Sequence, residues 1–223
     1  EEGLTLNHFN MVQNSDFSVT GTDGKPKAWT VGKNDASYVK VLPLDAPKDE
    51  FHAPDCLKHD NTQKIRLAGR YDRTVTYYQQ FRHYGKIGDR FTVGGWCSSF
   101  AKKNDPDNYI YCRITVLFTA GNPDNANCYW ATGGSAVFNA EEGNWQFASA
   151  GIVAPNNCTY IRVVLQMNQQ MNFADFTGIY LYPEAFGTQY IYDKNGNRKT
   201  RKMLYGGQEK SEFDGADNLT KHT

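Results

Sequence analysis

Long apolar runs and an excess of charge of one sign are both missing from this sequence. No stretch of 18 apolar residues occurs, so no membrane-spanning helix is predicted. The 24 lysines and arginines equal the 24 acidic residues in number, and only residues 194–202 concentrate basic side chains. Because proteins that bind nucleic acid usually carry a basic surface, nucleic acid is not expected as a partner. The chain begins at Glu1 with neither a methionine nor a secretory leader, and we expect it to be an internal fragment of a longer protein.

Motifs for zinc binding and for catalysis are also missing. The five cysteines include no Cys-x-x-Cys pair, which excludes a zinc ribbon. The segment from His52 through Cys56 to His59 fits no common zinc spacing. Neither Gly-x-Ser-x-Gly nor His-Glu-x-x-His occurs, and the acidic pair Glu141-Glu142 lies in a predicted turn. Because a glycosidase needs two carboxylates that converge in a cleft, the sequence does not predict an enzyme.

The odd number of cysteines leaves at least one thiol unpaired within the chain. Cys97 and Cys112 flank a predicted hairpin, which would bring them to facing positions across a β-ladder. A disulfide between them and a pair of buried free thiols are both compatible with this pattern. The sequence leaves these two interpretations open.

Aromatic side chains and short β-prone segments are abundant instead. Phe, Trp and Tyr make up 14% of the chain, which also has 20 glycines, and long helical periodicity is absent. About ten or eleven short strands follow one another, joined by turns. The pattern predicts an all-β fold, a two-sheet antiparallel β-sandwich of the jelly-roll type. Residues 43–62 are predicted to be a long surface loop, and Trp96 and Trp145 to be core residues.

Two similar units end the chain. The first is Tyr190-Ile-Tyr-Asp-Lys-Asn-Gly-Asn197, an alternating strand followed by an Asn-Gly turn signal. The second begins at Phe213-Asp214, so that its aspartate stands 21 positions after Asp193. These units resemble the YD repeats of RHS-type and wall-associated bacterial surface proteins. The resemblance implies a secreted or cell-surface bacterial protein with further YD repeats as partners, and it divides the chain into a domain of residues 1–185 and a short β-hairpin repeat tail of residues 186–223.

The order of motifs before the tail resembles a second family. Asn14-Ser-Asp-Phe17 is followed by Tyr78-Gln-Gln80, by Gly88-Asp-Arg-Phe-Thr-Val-Gly-Gly-Trp96 and by Phe173-Ala-Asp-Phe-Thr-Gly-Ile-Tyr-Leu181. In this order, residues 10–183 resemble the jelly-roll carbohydrate-binding modules of bacterial xylanases and cellulases. The resemblance implies a non-catalytic module that binds a polysaccharide or a cell-wall glycan. The alternative is a structural or adhesive module, a spacer or a cap of an RHS-type shell, without a working sugar site.

Sugar binding uses aromatic faces for the sugar rings and amide or charged side chains for the hydroxyl groups. This mixture is supplied by the end of a polar loop, with one face of a long strand as a stacking platform, and by one face of the penultimate strand. Their predicted carbohydrate-binding residues are, in that order, Tyr129 and Trp130, Tyr109 and Tyr111, and Gln166 and Asn168. Arg82, together with Gln79 or Gln80, extends the site from a neighbouring strand. The alternative is that the aromatic residues belong to the core and the polar ones to a solvated sheet face.

The second resemblance also implies one structural calcium ion. In the resembling modules the oxygen ligands come from the Asn-x-Asp-Phe region and from an aspartate of the last strand. The matching residues here are Asn14, Asp16 and Asp175. Ser18 stands where the family has a glutamate, so this chain departs from the family's ligand set. The alternative role for Asp175 is to cap the end of a strand.

Overall fold

The computed structural model describes residues 10–45, 51–103, 110–125, 127–168, 170–183, 189–192, 197–202, 208–214 and 218–222. Within these ranges the chain is almost entirely β-structure. Its helical segments are one turn of α-helix, α1 (Asp55–Lys58), and a 3-10 turn at Ala36–Tyr38. In the same ranges, no helix is both long enough and apolar enough to span a bilayer. The predicted all-β fold is confirmed.

Ten strands form two five-stranded antiparallel sheets. In chain order they are β1 (Thr30–Val31), β2 (Val39–Pro43), β3 (Gln63–Ala68), β4 (Thr74–Gly85), β5 (Arg90–Lys103), β6 (Tyr111–Thr119), β7 (Ala131–Phe138), β8 (Trp145–Val153), β9 (Cys158–Asn168) and β10 (Gln170–Pro183). Sheet A has the order β1-β4-β9-β6-β7, and sheet B has the order β2-β3-β10-β5-β8. Most connections cross from one sheet to the other, as expected for a jelly-roll sandwich.

The main core lies between the two sheets. Strand β9 shows the alternation that produces it, since Ile161, Val163 and Leu165 are fully buried while Arg162 and Gln166, on the opposite face, are half-buried. Phe176 and Leu181 of β10 belong to the same core cluster. Burying an apolar side chain of this size contributes about 1.5–3 kcal/mol. This alternation therefore fixes which face of each strand is left for other contacts.

Stacked aromatic rings join the segment before β1 to this core. Trp29 lies nearly parallel to Tyr77 of β4, with 5.5 Å between the ring centroids, and Phe17 packs on Trp29 at 5.0 Å. The indole N–H of Trp29 donates a hydrogen bond to the backbone oxygen of Asn14 at 3.0 Å. The buried indole is thereby satisfied. The segment from Asn14 to Phe17 thus contributes to the core of the sandwich.

Residues 44–45 and 51–62, which we call the covering segment, pack on part of the outer face of sheet B. They form a second apolar cluster with two half-buried tryptophans of that sheet; its members are Leu44, Ala53, Leu57, Trp96 and Trp145. The segment therefore differs from the predicted surface loop, because apolar side chains anchor it to the sheet. Trp96 and Trp145 likewise lie outside the main core.

Two further contacts seat the covering segment. The Phe51 ring packs on Phe100 at 5.5 Å and also lies against Gly143, where an added Cβ would overlap the ring. Only glycine leaves room for Phe51 at this position. The carbonyl oxygen of Gly143 accepts a hydrogen bond from the buried hydroxyl of Ser98 at 2.6 Å, so the turn that receives Phe51 is itself tied to sheet B.

Ion pairs hold the two ends of the covering segment together. Asp45 lies 2.8 Å from Lys58 Nζ and 2.7 Å from His52 Nδ1. His59 pairs with its neighbour Asp60 at 2.6 Å. The two histidines of the segment therefore have carboxylate partners of their own.

The remaining outer face of sheet B carries aromatic rings that pack on one another. Phe147, which is 52% exposed, lies 5.4 Å from Trp96 and 6.2 Å from Tyr180. Tyr180 stacks in turn on Tyr182 at 5.0 Å. Because neighbouring rings stack on each other, these rings use part of their flat surfaces within the protein.

All five cysteines are free thiols. Cys97 lies on β5 of sheet B and Cys112 on β6 of sheet A, so the predicted hairpin between these strands is wrong. Cys112 Sγ lies 3.1 Å from the hydroxyl of Ser99. Burial, together with the neighbouring Cys112, raises the pKa of the Cys97 thiol well above its usual value. Of the two interpretations, the structure has the buried free thiols.

The tail forms its own antiparallel sheet of four strands: β11 (Gln189–Tyr192), β12 (Arg198–Lys202), β13 (Gln208–Phe213) and β14 (Leu219–His222). Each strand pairs with the next, so both repeat-like units form strand pairs, as predicted. The Asn195-Gly196 turn of the first unit lies outside the described residues. In the second unit, Asp214 accepts a hydrogen bond from the backbone N–H of Asn218 at 2.9 Å. Strand β14 is exposed along its whole length and is an edge of this sheet.

Candidate functional site

The outer face of sheet A carries a set of aromatic, amide and guanidinium side chains, which we call the polar face. Alternation within β4, β6 and β9 turns these side chains away from the core. The members of the polar face are Tyr78, Gln80 and Arg82 of β4, Tyr111, Arg113 and Thr115 of β6, Tyr160, Arg162, Gln166 and Asn168 of β9, and Trp130 at the entry to β7. The covering segment packs on the other sheet.

Strand register sets the order of side chains along the polar face. At one end, Asn168 pairs with Tyr111 of β6 on one side and with β4 on the other. At the opposite end, Tyr160 stands beside Arg82 of β4. The part of β9 between these ends is about 27 Å long at the usual rise per residue. This length suits several units of an extended polymer.

Gln166 is the centre of one hydrogen-bond network on the polar face. Its Oε1 accepts from the Nε–H of Arg113 at 2.7 Å and from the hydroxyl of Thr115 at 2.7 Å. The Ser135 hydroxyl of β7 lies 2.8 Å from the Thr115 hydroxyl. Because Thr115 uses its proton for Gln166, Ser135 is the donor in this hydrogen bond. The network links three neighbouring strands and orients the Gln166 amide. Because the carbonyl oxygen is used internally, the amide nitrogen is the group with which Gln166 would meet a ligand.

Arg162 lies between two aromatic rings. Its guanidinium carbon is 4.3 Å from the ring centroid of Tyr78 and 4.0 Å from that of Trp130, and its Nη2 donates to Gln80 Oε1 at 2.6 Å. Burial lowers the pKa of this guanidinium, while the neighbouring Tyr78 acts in the opposite direction. Arginine titrates so far above neutral pH that Arg162 stays charged. A cation therefore occupies part of the Trp130 ring surface.

The other two arginines of the polar face also lie beside tyrosine rings. Arg113 is 4.0 Å from the ring centroid of Tyr111. Arg82 is 5.5 Å from that of Tyr160 and donates to its hydroxyl at 3.1 Å, and this hydrogen bond raises the pKa of the Arg82 guanidinium. A shallow depression of about 430 Å³ lies between this pair and the loop of residues 120–124. Each arginine of the face is thus oriented by an aromatic ring and a neutral hydrogen-bond acceptor.

Most of the predicted carbohydrate-binding residues lie together on this face: Arg82, Tyr111, Trp130, Gln166 and Asn168. Tyr129 stands beside them in the loop before β7, with 78% of its surface exposed, and Tyr109 lies outside the described residues. The choice between Gln79 and Gln80 is also settled. Gln80 faces outward to Arg162, whereas Gln79 is buried and bonds to the backbone of Gln13 at 2.8 Å.

Sequence reasoning missed several members of the polar face, namely Tyr78, Arg113, Tyr160 and Arg162. Arg162 could have been found from the sequence, because the strand alternation that turns Gln166 outward also turns Arg162 outward. In β4 the alternation gave no answer. Tyr77 and Tyr78 are adjacent and identical, and only the fold shows that Tyr77 is the buried one.

Asp175, predicted as a calcium ligand, is instead the centre of a buried ion-pair cluster on sheet B. Arg66 binds both of its carboxylate oxygens at 2.7 Å, through Nε and Nη2, and Lys64 Nζ lies 3.0 Å from Oδ2. The side chains of Lys64 and Asp175 are 1% and 3% exposed. Two cations already neutralise this carboxylate and would repel a divalent cation. Asp175 therefore does not fit the role of a calcium ligand.

Asn14 and Asp16, the other predicted calcium ligands, bond within their own turn. Oδ1 of Asn14 accepts from the backbone N–H of Val19 at 2.9 Å, and Oδ1 of Asp16 accepts from the hydroxyl of Ser18 at 2.8 Å. Within the described ranges, no cluster of three or more histidine, cysteine, aspartate or glutamate side chains is placed to hold a metal ion. The three residues do not fit a shared calcium ion, and calcium binding by this protein stays a prediction.

Comparison with known proteins gives similarity of fold. No family model and no curated protein matches the sequence. Among solved structures, the Bacteriophage CBA120 tailspike protein 4 enzymatically active domain is similar with a TM-score of 0.52 at 12% identity. The similarity covers 79% of this chain and 22% of that one, so this chain spans about a fifth of the tailspike chain. At this identity the likeness shows the fold alone.

Carbohydrate-binding modules are among the other similar solved structures. The C-terminal family 22 carbohydrate binding module of Clostridium thermocellum Xyn10B is 9% identical with a TM-score of 0.48, over 80% of this chain and 95% of that one. The CBM22-1 xylan-binding domain of Paenibacillus barcinonensis Xyn10C is 12% identical with a TM-score of 0.45, over 76% of this chain and 91% of that one. The jelly-roll sandwich described above is the architecture of the present chain.

Proposed function

We propose that residues 10–183 form a non-catalytic module that binds polysaccharide on the polar face. The observation that carries this proposal is the polar face itself, on which aromatic rings, amides and guanidinium groups alternate over about 27 Å. Aromatic rings pack on the C–H faces of sugars, while amide and guanidinium groups bond to their hydroxyls. All of these side chains except Trp130 stand on paired strands, so their spacing is fixed before a ligand arrives.

Binding without cleavage is proposed because the polar face carries no acidic pair. Hydrolysis of a glycosidic bond uses two carboxyl groups at a defined separation. None of the polar-face residues is an aspartate or a glutamate. The depression beside Arg82 has one carboxylate, Asp124, among the residues that line it. One carboxylate does not supply both the acid and the base that this reaction requires.

One observation favours a second candidate function. Arg113 and Arg162 lie over ring surfaces of Tyr111 and Trp130, so the protein's own side chains fill part of the face that a sugar would use. A structural or adhesive spacer, or a cap of an RHS-type shell, would keep the sandwich and carry such a face. It would have no affinity for any glycan, and binding measurements therefore separate the two functions.

The cellular setting belongs to the same proposal. The resemblance of the tail units to YD repeats supports a secreted or surface-attached bacterial protein, with further YD repeats as partners. The paired strands of the tail are consistent with repeat units of this kind. The boundary between residues 185 and 186 then separates the binding module from the repeats.

Affinity gel electrophoresis and calorimetry with a panel of plant and cell-wall polysaccharides test the binding function. We expect the wild-type protein to bind at least one polymer, and Trp130→Ala and Tyr111→Ala each to weaken binding roughly tenfold or more, since buried aromatic contacts dominate such interfaces. Phe147→Ala is the matched control, because it removes an exposed ring from sheet B. A folded wild-type protein that binds no polymer of the panel would favour the spacer.

A further inference from the structure

The polar face is positively charged, although the chain as a whole is neutral. Arg82, Arg162 and Arg113 stand on the neighbouring strands β4, β9 and β6. Among the described residues, no carboxylate forms an ion pair with any of these three. Elsewhere in the structure, arginine is paired with aspartate, as in the contacts of Arg66 with Asp175 and of Arg70 with Asp72. The positive charges of these three arginines are therefore not neutralised by ion pairs within the described residues.

Neutral acceptors orient the guanidinium groups of the polar face without cancelling their charge. The bonds of Arg162 to Gln80, of Arg113 to Gln166 and of Arg82 to Tyr160 each use one part of the guanidinium group. A guanidinium carries five N–H donors in a planar fork, so donors remain for a second partner. Such a fork matches the two oxygens of a carboxylate.

Two carboxylates border the polar face but leave its charge positive. Asp35 accepts from the hydroxyl of Thr76 on β4, and it is buried and paired with Arg73 at 2.8 Å. Asp124 lies in the loop beyond Arg82, across the depression described above. Asp35 is thus neutralised by its own partner, and Asp124 lies at one end of the face.

We infer that the ligand of the polar face is an acidic polysaccharide, in which some or all sugars carry a carboxylate, as in a polyuronate. This inference rests on the proposed function and names the ligand class of the same site. The sugar rings would contact the tyrosine and tryptophan rings, and the carboxylates would meet the guanidinium forks. Arg113 and Arg162 lie about 14 Å apart along the strand direction, which suits carboxylates that recur along one chain.

The contribution of the sugar carboxylates can be measured by comparing each acidic polymer with a neutral form of the same backbone. Calorimetry would compare polygalacturonate and alginate with their carboxyl-reduced forms, in which the backbone is kept and each carboxylate becomes a neutral alcohol. We expect the acidic polymer to bind roughly tenfold tighter or more, because charge-assisted hydrogen bonds are lost on reduction. We expect added salt to weaken binding of the acidic polymer, since exposed charges are screened.

Matched substitutions locate the effect on the protein. Arg113→Gln and Arg162→Gln each remove one charge, and each should weaken binding of the acidic polymer roughly tenfold. Lys40→Gln is the control, because it removes one exposed charge from β2 of sheet B and should leave binding unchanged. Arg162→Lys keeps the charge without the fork, and retention of part of the affinity by this variant separates loss of charge from disturbed packing of Tyr78 and Trp130.

Three outcomes would overturn the inference. Tight binding to a neutral polymer, unaffected by Arg113→Gln and Arg162→Gln, would refute the acidic ligand and leave polysaccharide binding in place. Failure of the folded protein to bind any polymer would refute both. Equally tight binding of single-stranded polyuridylate, lost in the same two variants, would show that the face selects nucleic acid instead of sugar carboxylates.

Discussion

At the scale of single residues, the partners of Asp175 decide its role. An aspartate at this point of the last sandwich strand suits a calcium ion by its chemistry. Antiparallel pairing of β10 with β3, however, sets Arg66 directly beside it, and Lys64 lies within 3.0 Å. Asp175 and Arg66 are 109 positions apart in the chain, so no local pattern indicates that they meet. The ion pair could be found only once the strand order was known.

The substitution Asp175→Asn should lower the free energy of unfolding by roughly 3–5 kcal/mol, because it removes the negative charge of a buried cluster in which Lys64 and Arg66 both contact this carboxylate. Urea denaturation measures this change. Asp72→Asn is the control, since Asp72 pairs with Arg70 at the surface, and its loss should change stability little. A variant as stable as the wild type would mean that Lys64 is not held by this carboxylate.

Melting temperatures of the wild type and of Asp175→Asn, measured with calcium and with chelator, test the calcium prediction. With both cations bound to Asp175, we expect the wild-type melting temperature to be the same in calcium and in chelator. A rise with calcium that disappears in Asp175→Asn would contradict the ion-pair role and favour the predicted site with Asn14 and Asp16.

Single residues of the polar face could be predicted where one strand face is strictly aliphatic. Strand β9 has this property, because Val163, Leu165 and Met167 form one buried apolar face and leave Gln166 on the opposite one. Strand β4 lacks it, since polar and aromatic residues occur on both of its faces. Gln79 and Gln80 are indistinguishable there until the burial of Gln79 against the N-terminal segment is known.

At the scale of elements, the covering segment is an attached layer of sheet B. Residues 51–62 contain a helical turn, and their apolar contacts reach Trp96 and Trp145. Proline and charged residues made this region resemble a solvated loop. Its apolar anchors, Leu44, Phe51, Ala53 and Leu57, occur at no regular spacing, so neither a strand nor a helix pattern indicates them.

Acid should loosen the covering segment through Asp45. The contact with Lys58 is the main reason, and the contact with His52 the second, that the pKa of the Asp45 carboxyl is lowered from 3.8 to about 2. Because the folded-state pKa is the lower one, the stabilisation is complete above 3.8 and is lost as the pH falls toward about 2. We expect Asp45→Asn to lower the melting temperature near neutral pH and to match the wild type at about pH 2.

Thermal melts of both proteins across this pH range provide the measurement. Asp60→Asn serves as the control, because its exposed carboxylate pairs with His59 alone and should not alter the melting temperature. If Asp45→Asn behaves like the wild type at neutral pH, other contacts hold the segment in place.

Strand positions were largely predictable, whereas their partners were not. The segment ending at Phe100 and the segment beginning near Tyr111 are both β-prone and are separated by a turn signal. A hairpin was the local expectation, yet β5 pairs with β10 and β8, and β6 pairs with β9 and β7. A turn sequence is the same whether the chain folds back in one sheet or crosses to the other, so pairing depends on contacts distant in sequence.

At the scale of the whole molecule, two sheet systems differ in how they are stabilised. The sandwich has one contiguous core that includes both of its sheets. The tail sheet ends in β14, all of whose residues are exposed, with Leu219 at 57%. A strand whose side chains are all exposed adds little apolar burial to a sheet, and a repeat array gains stability by stacking on its neighbours.

A chain that ends at residue 185 should therefore fold on its own. We expect its melting temperature to agree with that of the complete chain within about 2 °C, since the sandwich has an apolar core of its own that includes both of its sheets. Residues 186–223 alone should show no cooperative melt by circular dichroism. A drop of many degrees on truncation would contradict the proposed boundary and make the tail part of the sandwich's folding unit.

Strand β14 also determines how such a tail can be extended. Within the described residues it pairs on one side, with β13, so its other rim offers backbone donors and acceptors as a template for an incoming strand. Lys221 lies on this exposed edge strand, and a lysine on an edge strand discourages two copies from pairing edge to edge. An incoming strand with acidic side chains would meet no such repulsion. This edge would therefore favour addition of a strand with complementary charge over self-association, as the proposed array of repeats would require.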